Sequence, residues 1–229
     1  MQEEIIKHMK RAIAVVNDPH SSLWKKAREI FLEVGIIVFA VSVSISLHTW
    51  NTNRQQHTEM REFLSDLKED LAKDRKNLET EKKRLDGALL AIQQIKGLTP
   101  ERLANVQSFE VTVHLINRKT FSGNYEGFKS SGKIGYIKNK QLKSAILAYY
   151  QETMPSLDEV EQFRNKKGIE IVELLGDANL KAHQFIDPRM RTRLNFVEQA
   201  TVSLIEAYTS CLQQAAVISA EIDKELGKR

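Results

Sequence analysis

Residues Ile30 to Trp50 read IFLEVGIIVFAVSVSISLHTW, with Glu33 as the one acidic or basic residue among them apart from His48. No charge interrupts Val34 to Leu47, and Ile30, Phe31 and Leu32 lengthen the apolar body to about 18 positions, the short end of what spans a bilayer. Trp24 and Trp50, the two tryptophans of the chain, bracket the segment. Their 26-residue separation corresponds to about 39 Å of helix, close to the distance between the two interfacial layers where indole rings prefer to lie. The stretch therefore predicts one transmembrane helix. Some thirty residues precede it and no small-residue cleavage site follows it, so it reads as an uncleaved signal anchor.

Flanking charge sets the expected orientation. Lys7, Lys10, Arg11, Lys25, Lys26 and Arg28 precede the span, whereas Arg54, Arg61 and Lys68 are the basic residues within twenty positions after it. Retention of positive loops in the cytoplasm places the N-terminus there and residues 51–229 on the far side. Glu33 lies about one turn inside the cytoplasmic end. It either snorkels to the headgroups or acts as a proton-responsive or pairing residue between subunits. Ser42 and Ser46 stack at i, i+4, as do Ala40 and Ser44, which offers small faces for close helix approach.

Upstream, QEEIIKHMKRAIAVV puts Ile5, Ile6, Met9, Ile13 and Val16 on one helical face beside basic residues. Residues 1–20 thus form an expected amphipathic helix, lying on the membrane or against a partner, before a juxtamembrane and transmembrane element over 21–50.

Downstream, helical spacing dominates residues 51–229. Leu64, Leu71, Leu78, Leu85 and Ile92 recur every seven residues, and their companion row is Leu67, Asp74, Glu81, Ala88 and Ile95. A row with a polar middle suits a helix in a bundle better than a self-associating coiled coil. Gly97 to Pro100 breaks the run, with Thr99 as the expected N-cap of a helix carrying Leu103, Val106, Phe109, Val113 and Ile116 on one side. Pro155 is read as a further break, after which SLDE (Ser156 to Glu159) restarts a helix as a capping box. Asp187 and Pro188 open the last helix, whose stripe is Ala200, Leu204, Ala207, Cys211, Ala215, Ile218 and Ile222. No segment sustains strand alternation, so the chain is expected to be all-α: a transmembrane helix continuing into an antiparallel helical bundle.

GFKSSGKI (Gly127 to Ile134) falls one residue short of the phosphate-binding pattern G-x-x-x-x-G-K-[ST]. Ile134 occupies the hydroxyl position, the preceding FSGNYE is too polar for a core strand, and no apolar run ending in Asp supplies a second metal ligand. No nucleotide is expected. The stretch reads instead as a corner between helices, with Asn124 as a cap, Gly132 in the left-handed position that ends a helix, Ile134 and Ile137 turning inward, and Asn139 capping the next helix.

Other chemistry leaves no trace in the pattern. His8, His20, His48, His57, His114 and His183 have no metal-ligand spacing, Cys211 falls in an apolar stripe, and no nucleophile motif occurs. The net charge of +4 divides between the first 28 residues and a mixed outer surface, so no basic groove for nucleic acid is expected. The expectation is a non-enzymatic chain without cofactor, catalytic residue or metal.

Two stretches carry a resemblance. EIFLEVGIIVFAVSVSISLHTWN (Glu29 to Asn51) with REFLSDLKEDLAKD (Arg61 to Asp74), and YEGFKSSGKIGYIKNKQLKSAILAYYQE (Tyr125 to Glu152), are similar to an uncharacterised family of bacterial single-span membrane proteins. The resemblance covers about residues 29–175 and implies an N-terminal anchor with a helical extracytoplasmic domain, but no site. The functional expectation is a single-pass inner-membrane protein acting as a structural, sensory or interaction module, with the lipid bilayer and a second copy or another membrane protein as partners. The alternative is a pore-forming effector of stress or phage defence, assembled through Glu33 and the Ser42/Ser46 face.

Overall fold

The computed structural model describes Ile6, Lys10 and residues 23–104, 113–175 and 182–227. The expected amphipathic helix over 1–20 lies outside the described residues apart from Ile6 and Lys10, as do Val106 and Phe109. The described residues are helical or irregular, with no strand among them, and the chain is all-α. It divides into two units, Met1–Glu59 and Met60–Arg229.

In the first unit, helix α1 (Leu23–Lys96) runs from Leu23 through Trp50 without a break. None of its described residues from Ile30 to Glu59 is buried, although the stretch up to Trp50 is almost wholly apolar. Among the described residues, α1 supplies the one helix long and apolar enough to cross a membrane.

The second unit begins inside α1 at Met60 and continues through α2 (Pro100–Leu103), α3 (Gly123–Ser130), a 3₁₀ turn (Lys133–Tyr136), α4 (Lys140–Ala148), a π turn (Tyr149–Thr153), α5 (Met154–Leu175), a second 3₁₀ turn (Ala182–Ile186) and α6 (Pro188–Gly227). The seven-residue row of α1 makes the core: Leu64, Leu71, Leu78 and Leu85 are fully buried, in one cluster with Leu204, Tyr208, Cys211, Ala215, Ile218 and Ile222 of α6. Ile92 joins a second cluster with Ile171, Leu175, Phe185, Met190, Leu194 and Val197. The row is therefore consumed within the chain, as a bundle requires.

Cross-links fix the directions. Arg61 donates to the Leu226 carbonyl at 2.6 Å and Lys96 pairs with Glu198, so α6 runs antiparallel to α1. Thr153 Oγ1 donates to Gln214 at 2.9 Å and Arg193 reaches Glu170 at 3.5 Å, so α5 is also antiparallel to α6. It follows that α1 and α5 run the same way, and residues 97–139 must carry the chain back.

That return corrects the helix expected to run from Pro100 through Ile116. Thr99 does cap it, but the helix stops at Leu103, and Val113 to Ser122 are irregular, neither helix nor strand. Its inward residues alternate: Ile116 is buried and the Arg118 side chain is 1% exposed, whereas Asn117 and Lys119 face outward. With no neighbouring strand, side chains take up its backbone groups. Asn165 accepts from Ile116 N at 2.9 Å and donates to its carbonyl at 2.8 Å, and Asp74 accepts from Phe121 N at 2.9 Å. A β-carbon at Gly168 would come within 2.9 Å of Val113, so α5 needs glycine where the segment crosses.

Pro155 does not break a helix. The turn before it widens to i→i+5 bonding, with Met154 N donating to Tyr149 O, and this shift of the ladder absorbs the missing proline N–H. Ser156 to Glu159 therefore lie inside α5 and are not a cap. Asn124 likewise does not cap α3, which already starts at Gly123; its amide reaches Asp70 at 2.9 Å. Gly132 follows α3 with φ of 74°, Ile134 packs on the core, Ile137 is buried, and Asn139 Oδ1 accepts from Gln141 N and Leu142 N at 3.1 Å each. Asp187 Oδ1 caps α6 by accepting from Arg189 N at 2.7 Å.

Candidate functional site

The polar residues that α1, the return segment, α5 and α6 bury together form the most concentrated chemistry in the second unit. Arg118 is at its centre. Its Nε donates to Glu161 Oε1 at 2.8 Å, one Nη to Thr120 Oγ1 at 2.8 Å and the other to Asp158 Oδ1 at 2.6 Å. Tyr208 of α6 donates to the same Glu161 oxygen at 2.6 Å. Burial alone would lower the Arg118 pKa, but the bond and charge of Glu161 outweigh it, and the guanidinium is held above its ordinary value. Burial, with the Glu161 bond adding to it, pushes the Tyr208 hydroxyl up in turn. A charged group so surrounded is tolerated in a core because its donors are satisfied.

Beside it stands an aromatic and acidic group. Tyr125 and Tyr150 stack at 4.4 Å, and Tyr149 meets Tyr150 edge-on at 5.1 Å. Asp74 is fully buried on α1, and burial raises its pKa to about 6 against the pull of the Phe121 N–H and Arg118. Burial also raises the Tyr149 and Tyr150 hydroxyls, with the Asp74 charge adding to it. At the start of the return segment, Arg164 donates to the His114 carbonyl, and His114 Nε2 lies 3.0 Å from Glu81 Oε2.

Chemically this arrangement fastens the irregular return segment between α1 and α5. Each of the three guanidinium nitrogens of Arg118 has a side-chain acceptor within the unit. Cys211, in the α6 stripe, has its thiol pushed up to about 11 by burial, which disfavours the reactive thiolate. Among the described residues no group of three or more His, Cys, Asp or Glu is arranged to hold a metal ion.

The residues singled out from the sequence fall in other places. Trp24 and Trp50 are 84% and 62% exposed on α1, and Ser42 and Ser46 are exposed as well. Glu33 is half-buried. Nine positions along a helix of 3.6 residues per turn put Ser42 on the opposite side from Glu33, so these residues do not share one polar face. The Gly132 and Asn139 corner positions α4 and no more. The Arg118, Glu161 and Tyr208 group escaped sequence reading because its members come from three separate elements; the polar interruption of the α1 seam at Asp74 and Glu81 was its visible trace.

No match to the chain is found among curated proteins or among solved structures. A family model does match, over residues 33–176, which takes in the apolar segment from Glu33, the α1 seam, the return segment and α5, and stops before α6. That match covers more than half of the chain, from the Glu33 end of the apolar helix to the element that clamps Arg118, and the chain belongs to the family of unknown function DUF6090.

Proposed function

We propose that this chain is a single-pass protein of the bacterial inner membrane, with its N-terminus in the cytoplasm and residues 51–229 outside it, and that the helical unit from Met60 onward is a structural, sensory or interaction module rather than an enzyme. One observation carries the reading. From Ile30 to Trp50 the chain presents large apolar side chains to its surroundings, Phe31 at 82%, Phe39 at 71% and Ile45 at 61% exposure, while the second unit buries a full core of its own. At roughly 25 cal/mol per Å² of apolar surface, leaving such a stretch in water is too costly for a soluble helix, and a bilayer removes the cost. Its partners on this reading are the lipid bilayer and a second copy or another membrane protein meeting the exposed span, where Ser42, Ser44 and Ser46 permit close approach. The polar core, with its donors turned inward, supports a scaffold over a catalytic centre.

Fusion of a periplasm-dependent reporter to the C-terminus is the test, alongside alkaline extraction of membranes. Reporter activity and retention in the membrane pellet are expected. Release by alkali, or activity only from a cytoplasm-dependent reporter, overturns the anchor or its orientation respectively.

A further inference from the structure

The two ends of the apolar segment share an aromatic residue but not a charge. On α1, Trp24, Ala27, Arg28, Phe31 and Leu32 line one shallow apolar concavity, with Arg28 as its charged member. Trp24 and Phe31 are 84% and 82% exposed. The turn that follows Trp24 carries Lys25, Lys26 and Arg28 against Glu29, a net of +2. Glu33 stands five residues beyond Arg28, about 7.5 Å along the helix, and counting it leaves the stretch 25–33 at +1. At the other end, the Arg54 guanidinium lies over the Trp50 ring at 5.8 Å, and Arg54 and Arg61 are balanced by Glu59 and Glu62 within the following residues.

Building on the membrane reading above, we infer that the Trp24 end is a contact for anionic phospholipid, with the indole at headgroup depth and the cationic turn 25–28 drawing phosphate-bearing, net-negative headgroups around it. The Trp50 end, with no net charge, takes zwitterionic and anionic lipid alike. The complementarity is of one kind: an exposed apolar strip matches the acyl and headgroup boundary, and the net excess of basic residues over 25–33 matches negative headgroups.

The two tryptophans make the inference testable in the full chain. Trp50→Phe leaves Trp24 as the reporter, and Trp24→Phe leaves Trp50. Each is reconstituted in vesicles of equal phosphatidylcholine and phosphatidylglycerol, with bromine on the acyl chains of one lipid or the other, so that composition never changes. Trp24 fluorescence is expected to be quenched at least about twofold more by the brominated anionic lipid, and Trp50 equally by both. Lys25→Gln, Lys26→Gln and Arg28→Gln together, or high salt, bring the Trp24 ratio to about one while quenching persists. A Trp24 ratio of one in the unsubstituted turn, or a ratio indifferent to both the triple substitution and salt, overturns the inference and leaves the membrane anchor standing. No quenching of either tryptophan by either lipid overturns the inference and the anchor together.

Discussion

Asp74 occupies the companion row of α1, between Leu67 and Glu81, where an apolar residue would complete the seam. It is retained at a cost that can be assigned a sign. Its Oδ1 accepts the Phe121 N–H, but burial outweighs that bond and raises its pKa from the ordinary value of 3.8 to about 6. Between those two values the native state keeps a proton that the unfolded state has released, so this group's contribution to stability falls as pH rises from about 4 to about 6. The groups that face Asp74 are Asp70 on the same helix, which disfavours its charge, and Arg118 from the return segment, which favours it. Asp74→Asn keeps an oxygen for Phe121 N and removes the titration. The variant is therefore expected to gain on the parent chain by up to about 3 kcal/mol between pH 4 and pH 7, measured by denaturant unfolding at each pH. A difference between the two that stays flat across that range refutes the buried-charge account. Gly132 is the opposite kind of residue, legible from its neighbours in sequence because a φ of 74° follows from a helix end alone.

The elements divide into those whose partners were implicit in their own pattern and one whose partners were not. α1 and α6 carry long apolar stripes, and their burial against one another follows from periodicity. The return segment 113–122 carries Val113 and Ile116 at helical spacing too, yet it is not helical, because Asn165, Asp74 and Gly168 on two other helices offer it hydrogen bonds and room. Such a choice is made by tertiary contacts, and no local propensity records it. Asn165→Ala is the sharpest probe: it leaves the buried Ile116 N–H and carbonyl without their partner. A loss of about 2 kcal/mol in unfolding free energy is expected, together with faster amide exchange at Ile116. Unchanged stability with unchanged exchange would mean that the segment is held by packing alone. Pro155 makes the same point from the other direction, since the sequence marks a breaker correctly and the π turn before it removes the consequence.

At the level of the whole molecule, the sequence separates the exposed apolar segment from the bundle by composition, but it sets the start of the bundle at residue 51, whereas the compact unit begins at Met60. The difference lies in where burial begins: residues 51–59 are exposed or half-buried, while Met60, Phe63 and Leu64 are buried. Arg61 then binds the Leu226 carbonyl and Lys68 pairs with Asp223, so the first turns of the unit are fastened to its last. The unit's own core is complete, from Met60 and Leu64 to Ile218 and Ile222. Residues 60–229 produced alone are accordingly expected to be soluble, strongly helical by circular dichroism and cooperatively unfolded by urea, whereas the full chain partitions with membranes. Tyr208 and Tyr149 supply a further readout, since a native core keeps near-ultraviolet ellipticity that a collapsed helical ensemble loses. A fragment that is helical but lacks near-ultraviolet signal and a cooperative transition would show that residues 1–59 are needed to complete the fold, and would make the division at Met60 a matter of contacts rather than of stability.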